Sequence, residues 1–539
     1  MHVPVDIRRY PGIRRLAGDF AYAFDALAPF YEGNPALPGA WESAIERVRA
    51  HRRDRGAVAD VIAAQQQRRG APAEARAALD RLRQDGTVAV VTGQQAGAFG
   101  GPLYTLLKAV TALRLAARVR QDHQVPAVAV FWIDSEDHDW DEVASCTVFD
   151  GDVQPRTVRL PDPPGAGSTP VGRLALGDGV AAALDELAAV FPQTEFTASL
   201  MTRLRSSYKP GASTSEAFGR LLEFTLGEFG LIVYDAADPA AKAPVREVFE
   251  RDVQFPGRTA ELAHEAGVEL VRLGYHEQVS AHADGLSLFS LVGGRQPIRF
   301  ADGTFRAGER AWSHAELLAA VRTDPAGFSP NVLLRPIVQD TLFPTVAYVA
   351  GPNELAYLGQ LKPVYAHFGV PMPLMVPRAS ATLIDSAGVR FLAKHGVALG
   401  ALHAQDESLL NRLLEAALPG GVDAAYQAAA AAIDGPMQAL VQAVPAIDPT
   451  LEGAARSVAG RIHHELQALH TKIIHAAKRR DETLRRQFAR TRSQAFPNGY
   501  AQERTIGFVS FLNRYGPGLV DHLVRDLPLD AGAHWVVTV

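Results

Sequence analysis

Short apolar runs that stop abruptly at glycine or at acids recur along this chain. Val88–Val91 leads into TGQQAGAFGGPLYTLLK, and Val128–Ile133 leads into DSEDHDWDE. Continuous runs of this length read as strands buried on both faces, as in a parallel sheet covered by helices. Between them, Tyr104–Arg120 carries apolar residues at helical spacing and closes on basic residues, as a helix C-terminus prefers. The same pattern returns in GLIVYDAAD (Gly230–Asp238), in Val346–Val349 before Gly-Pro-Asn-Glu, and in Leu374–Val376 before Pro-Arg-Ala-Ser. Five strands alternating with helices predict an α/β fold with a doubly wound parallel sheet. Ligands of such a sheet sit at the carboxyl ends of its strands. Residues near positions 93, 138, 353 and 378 are therefore expected to meet.

Around this core the texture varies. Residues 15–85 are rich in Ala and Arg at helical spacing and predict a helical entry layer. Two stretches interrupt the core grammar: a Pro- and Gly-rich insertion over about 150–210, and a second with short strand patterns over about 250–330. The core thus spans residues 1–385. Residues 386–492 carry almost no strand signal, and Ala455, Val458, Ile462, Leu466, Leu469, Ile473 and Ala476 recur in steps of three and four. That seam suits a coiled coil between two copies, or a hairpin with Val422–Val444 within one chain. Residues 493–539 return to Pro, Gly and aromatics and are expected to fold back on the core.

Composition narrows the class. With 539 residues, 47% hydrophobic and 21% charged, the chain has the balance of a soluble globular protein of two or three domains. A net charge of −5 with both signs interspersed gives no nucleic-acid signature. No signal-peptide pattern opens the chain and no apolar run is long enough to span a membrane. The single cysteine, Cys146, rules out internal disulfides and thiolate clusters and points to the cytoplasm. Its apolar neighbours Val148 and Phe149 mark a buried, inert thiol.

Two motifs carry candidate chemistry. Gly93, Gly97, Gly100 and Gly101 lie in the turn after the first strand, where positive φ and close backbone approach suit an anion at a helix N-terminus. The spacing matches neither G-x-G-x-x-G, which would need glycine at Gln95, nor a P-loop, which needs Gly-Lys-Ser/Thr. Gln94 and Gln95 add amide donors and acceptors; the alternative is a plain tight turn. In the second motif, carboxylates flank His138 and favour its charged form, suiting an acid or donor near neutral pH, with Asp137 and Asp139 orienting it or holding a nucleotide-bound Mg²⁺. The alternative is a solvated loop that caps the next helix. No second histidine stands at ligand spacing, so no protein-held metal is expected. Trp132, Ser135 and Glu136 in this stretch are candidate substrate contacts. So are Asn353, Glu354 and Tyr357 at one strand-to-helix junction, and Arg378 and Ser380 after the last strand. Glu354 would pair with an amine, Asn353 cap the helix, and Arg378 hold a carboxylate through its fork.

Taken in order, GQQAGAFGGPLYTLLK, FWIDSEDHDWDE, GPNELAYLGQL, PRASATLID and NGYAQERTIGF resemble the bacillithiol biosynthesis cysteine-adding enzyme family, the cysteine ligases. The resemblance spans nearly the whole chain. It implies a Rossmann-like core with inserted segments and a C-terminal helical coiled coil that makes a homodimer. It also implies amide-bond formation between L-cysteine and the amine of glucosaminyl-malate. One departure is Asp134, where an alanine is expected. An unactivated carboxylate does not condense with an amine in water, so ATP or another nucleotide with Mg²⁺ is expected. The lack of a P-loop lysine favours an adenylated carboxylate. A nucleotidyltransferase acting on another small substrate and a nucleotide-binding scaffold without turnover are the readings from other classes.

Overall fold

The computed structural model describes residues 2–279, 285–416, 420–480 and 482–539. They form two compact units, one of residues 1–383 with 500–539 and the other of residues 384–499.

The first unit is built on five parallel strands: β1 (Val88–Gln95), β2 (Ala127–Asp134), β3 (Leu231–Asp235), β4 (Thr345–Ala350) and β5 (Leu374–Pro377). Their spatial order is β5-β4-β1-β2-β3, the doubly wound arrangement in which the winding direction reverses beside β1. Alternate side chains explain why the runs are continuously apolar. Val88, Val90, Ala129, Phe131 and Val233 face the cluster containing α1 (Leu103–His123). Ala89, Val91, Val128, Val130 and Ile232 face the opposite cluster, shared with Leu16, Phe20, Val58 and Leu79 of the N-terminal helices. Neither face meets water, so no polar alternation is tolerated.

The insertions are real elements. The first opens with an antiparallel pair, Ser145–Phe149 with Pro155–Arg159, and continues into helices Val180–Val190 and Thr197–Ser207. The second contains helices Arg246–Gln254 and Arg258–Arg272 and a five-stranded antiparallel sheet between Gly285 and Pro330. It is followed by α2 (Arg335–Leu342), which leads into β4, and then by α3 (Pro352–Leu358). A three-stranded sheet of His2–Asp6, Ala533–Thr538 and Ser380–Ile384 brings both chain ends together.

Beyond Ile384, the described residues of the second unit form helices and their connections. Its longest helices, α4 (Gly420–Ala443) and α5 (Leu451–Arg480), pack against each other as a hairpin. His470 stacks on Tyr426 with ring centroids 4.1 Å apart, and His463 meets Asp434. The seam is not fully used by this hairpin: Val458 and Leu469 on α5 remain exposed.

Candidate active site

Registers bring the strand ends level. Gly93 pairs with Trp132, Gln95 with Asp134, and Ala350 with Pro377. Where the winding reverses, between β1 and β4, these ends open onto a cavity of ≈470 Å³. Among the expected residues, Gly93, Gln94, Gln95, Trp132, Asp137, Asn353, Glu354, Tyr357 and Arg378 line it. Strand ends far apart in sequence do meet here.

Charged side chains crowd the cavity wall. Lys108, from the second turn of α1, reaches back to the end of β1 and is buried. Its ammonium donates to the Gly93 carbonyl (2.8 Å), to Gln94 Oε1 (3.2 Å) and to Glu354 Oε2 (2.6 Å), which uses all three protons. Burial pulls its pKa below the ordinary lysine value, against the opposing pull of Glu354. Burial would raise Glu354, but Lys108 and the Gly351 N–H hold this carboxyl below its usual range. Glu354 is the N3 residue of α3 and accepts from Gly351 N at 2.5 Å, so Gly351 is the cap. Asn353 is exposed at the cavity rim and, contrary to the expectation that it caps the helix, lies inside its first turn. The amine partner foreseen for Glu354 is supplied by the chain itself.

Arg335, the first residue of α2, donates to Gln339 Oε1 (3.2 Å) and to the Tyr357 hydroxyl (3.0 Å), and its Nε lies 3.9 Å from Asp134. Burial pushes Tyr357 up to about 12, so its phenol stays protonated near neutral pH. Burial raises the Asp134 carboxyl above the ordinary range, with Asp137 adding to the rise and Arg335 opposing it. Arg295 enters from the inserted sheet with its guanidinium 3.8 Å from the Phe289 ring centroid.

Several expectations are corrected. Gly97, Gly100 and Gly101 do not line the cavity. Gly97 has φ of −62°, and only Gly100 and Gly101 adopt positive φ. A Cβ on Gly100 would stand 2.3 Å from the Phe508 ring. The N-terminus of α1 is covered too, because Leu103 N–H donates to the Ile506 carbonyl (2.8 Å). Gly100 serves close packing against the returning C-terminal segment, while Gly97 and Gly101 pack against each other.

Ser135 and Glu136 are buried beside the cavity and spent on structure. The Ser135 hydroxyl donates to Asp235 (2.5 Å), tying the ends of β2 and β3, and Glu136 pairs with Lys242 (2.5 Å). Asp139 caps the helix Trp140–Val143 by accepting from Glu142 N (3.1 Å). The His138 ring lies off the cavity wall, its Nδ1 3.2 Å from Arg295 Nη1. The same Nδ1 lies 3.4 Å from Asp137 Oδ1, so the ring stands between the Arg295 guanidinium and that carboxylate. Arg378 reaches the cavity, but its fork is closed on Glu503, and Ser380 donates to the same carboxylate. Neither is an open carboxylate receptor.

Lys108, Tyr104, Arg295, Arg335 and Arg504 line the cavity without having been anticipated. Two carried a signal. Lys108 is a lone charge among buried apolar positions of a helix, and Arg335 stands at a helix start inside the apolar run LLRPIV. Among the described residues, no cluster of three or more His, Cys, Asp or Glu is arranged to hold a metal ion. No described helix is long and apolar enough to cross a membrane. Cys146 is buried, which pushes its thiol up to about 12.

A doubly wound parallel sheet with a charged crevice at its winding reversal defines a Rossmann-like protein. Comparison with known proteins places it further. Residues 4–379 match the N-terminal Rossmann-like domain of bacillithiol biosynthesis BshC, and residues 381–539 match its C-terminal coiled-coil domain. The chain belongs to this bacillithiol biosynthesis family. A relative from Salinibacter ruber, named "Putative cysteine ligase BshC", is 36% identical over 97% of this chain and 95% of its own. Proteins of the same name from Koribacter versatilis (33% identical, 96% of both chains) and Chlorobaculum tepidum (32%, 90% of this chain and 88% of its own) are similar throughout.

Proposed function

We propose that this chain is a cysteine ligase, joining L-cysteine through an amide bond to the amine of glucosaminyl-malate to form bacillithiol. The observation that carries the reading is the mixed charge of one crevice: Asp134, Asp137 and Glu142 share its wall with Arg295, Arg335 and Arg504. A ligase that brings an amine to a carboxylate needs both signs, cations for the acids and a carboxylate to take the proton leaving the amine. Asp134 is assigned that second role, because its raised pKa brings it closer to the amine it must deprotonate.

The donor set also fits ATP as the activating co-substrate, which supplies the energy for carboxylate activation. Arg504 would meet its phosphates, and Asp137 would face Mg²⁺, which takes one or two carboxylates and keeps several waters. An adenylated carboxylate is favoured over γ-phosphoryl transfer because Lys108 has no proton left for a γ-phosphate. Activity of this kind would place the chain in the cytoplasm. The exposed Val458 and Leu469 on α5, on the stripe that includes Ile462, support assembly as a homodimer through the helical unit.

The test is reconstitution. Purified protein with L-cysteine, glucosaminyl-malate, ATP and Mg²⁺ should yield bacillithiol by mass spectrometry with acceptor-dependent release of AMP. Absence of product with every nucleoside triphosphate would sink the ligase reading, and release of ADP in place of AMP would sink adenylation alone.

A further inference from the structure

The returning segment around Gln502–Ile506 enters the cavity, yet the residues expected to bind anions do not include it. Its backbone is pinned on both sides. The Gln502 side-chain amide bonds both the N–H and the carbonyl of Leu383 (2.8 Å each), and Gly507 N–H donates to the Thr147 carbonyl (2.7 Å). Arg504 projects from this fixed point to the cavity wall, its guanidinium carbon 5.8 Å from the Tyr104 ring centroid.

Charge accounting singles Arg504 out. Lys108 is paired with Glu354, Arg378 with Glu503, Arg295 with Asp137 at 3.7 Å and Arg335 with Asp134 at 3.9 Å. Among the described residues Arg504 has no carboxylate partner. The neighbouring Tyr104 hydroxyl accepts from Gln94 Nε2 (3.1 Å), which leaves its own proton free to donate. Burial keeps that phenol protonated, ahead of the opposing effect of Arg504.

We propose that Arg504 and the Tyr104 hydroxyl form the oxyanion subsite of this cavity, binding a carboxylate or phosphate of the substrates through the open guanidinium fork. A planar fork with five donors and no internal acceptor matches two oxygens of either group, and the phenol adds a third donor. The subsite deepens the ligase reading and rests on it only for the identity of the acid. It also accounts for the covered N-terminus of α1. The segment that closes the usual anion position with the Ile506 carbonyl supplies a cation two residues earlier.

The experiment is calorimetric titration of the full-length protein, at low salt, with L-malate and separately with inorganic pyrophosphate. Arg504→Gln should weaken at least one probe by about tenfold or more, the scale of a lost charge-assisted bond. Arg504→Lys, which keeps the charge without the fork, should fall between. Loss confined to malate assigns the subsite to the acid's carboxylate, and loss confined to pyrophosphate assigns it to the nucleotide's phosphates. Arg310→Gln, an equal change of charge on the inserted sheet, should leave both affinities unaltered. The subsite is overturned if wild-type protein binds neither probe, if Arg504→Gln binds both as wild type does, or if Arg310→Gln weakens them equally. Oxyanion binding that needs Arg504 in a protein that makes no amide would leave the subsite standing and remove the ligase.

Discussion

Arg378 and Glu503 offer the sharpest test of how the cavity wall is held. The two side chains are 2% and 4% exposed, and the fork is bidentate, with Nη1 to Oε2 at 2.9 Å and Nη2 to Oε1 at 2.7 Å. Ser380 Oγ and Ala381 N–H also donate to this carboxylate (3.0 Å each). Burial alone would raise the Glu503 pKa, but Arg378 overrides it and holds the group at about 2. Glu503→Gln keeps the shape and removes the charge, stranding a guanidinium away from water. Breaking a buried pair in this way costs about 3–5 kcal/mol, and Arg378→Met should cost about as much by stranding the carboxylate. The double variant strands neither, so it should cost well under the sum of the singles, with a coupling of about 2 kcal/mol or more. Urea denaturation followed by tryptophan fluorescence, at constant m-value, reads all three. Singles below about 1 kcal/mol, or effects that add within about 0.5 kcal/mol, would refute the buried pair. The pH dependence has a fixed sign. The folded pKa lies below the ordinary carboxylate value, so this stabilisation is complete above pH 4.5 and is lost as pH falls toward 2.

His534, between Ser380 Oγ and Thr382 Oγ1 at 2.7 Å each, is held neutral by burial down to about pH 4. The unfolded chain takes up its proton near pH 6.5, so stability should fall by about 3 kcal/mol as pH drops from 6.5 to 4. Urea midpoints at several pH values check this, and a His534→Gln variant with the same slope in that window would refute it. Lys108→Met removes the cation that holds Glu354 and the end of β1, so turnover should fall by about 10²-fold or more; near-wild-type bacillithiol formation would show that Lys108 is only structural. Ile462→Glu with Leu469→Glu should convert a dimer to a folded monomer in light scattering, because each would bury an unpaired carboxylate; a wild-type protein that is monomeric at micromolar concentration refutes the interface.

The sheet was legible because burial on both faces forbids polar interruption. Val88–Val91 and Val128–Ile133 therefore announce themselves as unbroken runs, and their ends mark the cavity. Residues whose surroundings are fixed by distant segments were not legible. Ser135 and Glu136 look like open chemistry beside His138, yet Asp235 and Lys242, about a hundred positions later, consume them. The glycines read as an anion turn because nothing local reveals the Phe508 ring pressed against Gly100. Arg378 looked like a carboxylate receptor because Glu503 stands 125 residues away. The common cause is electrostatic. A charged group's availability depends on whether a counter-charge arrives to neutralise it, and that pairing is a tertiary property with no period in the sequence. Strand grammar identifies where a site lies, and the pairing of its charges identifies which groups remain for a ligand. In this cavity the expected cation is cancelled by the residue directly preceding Arg504, so one short segment closes one fork and presents another.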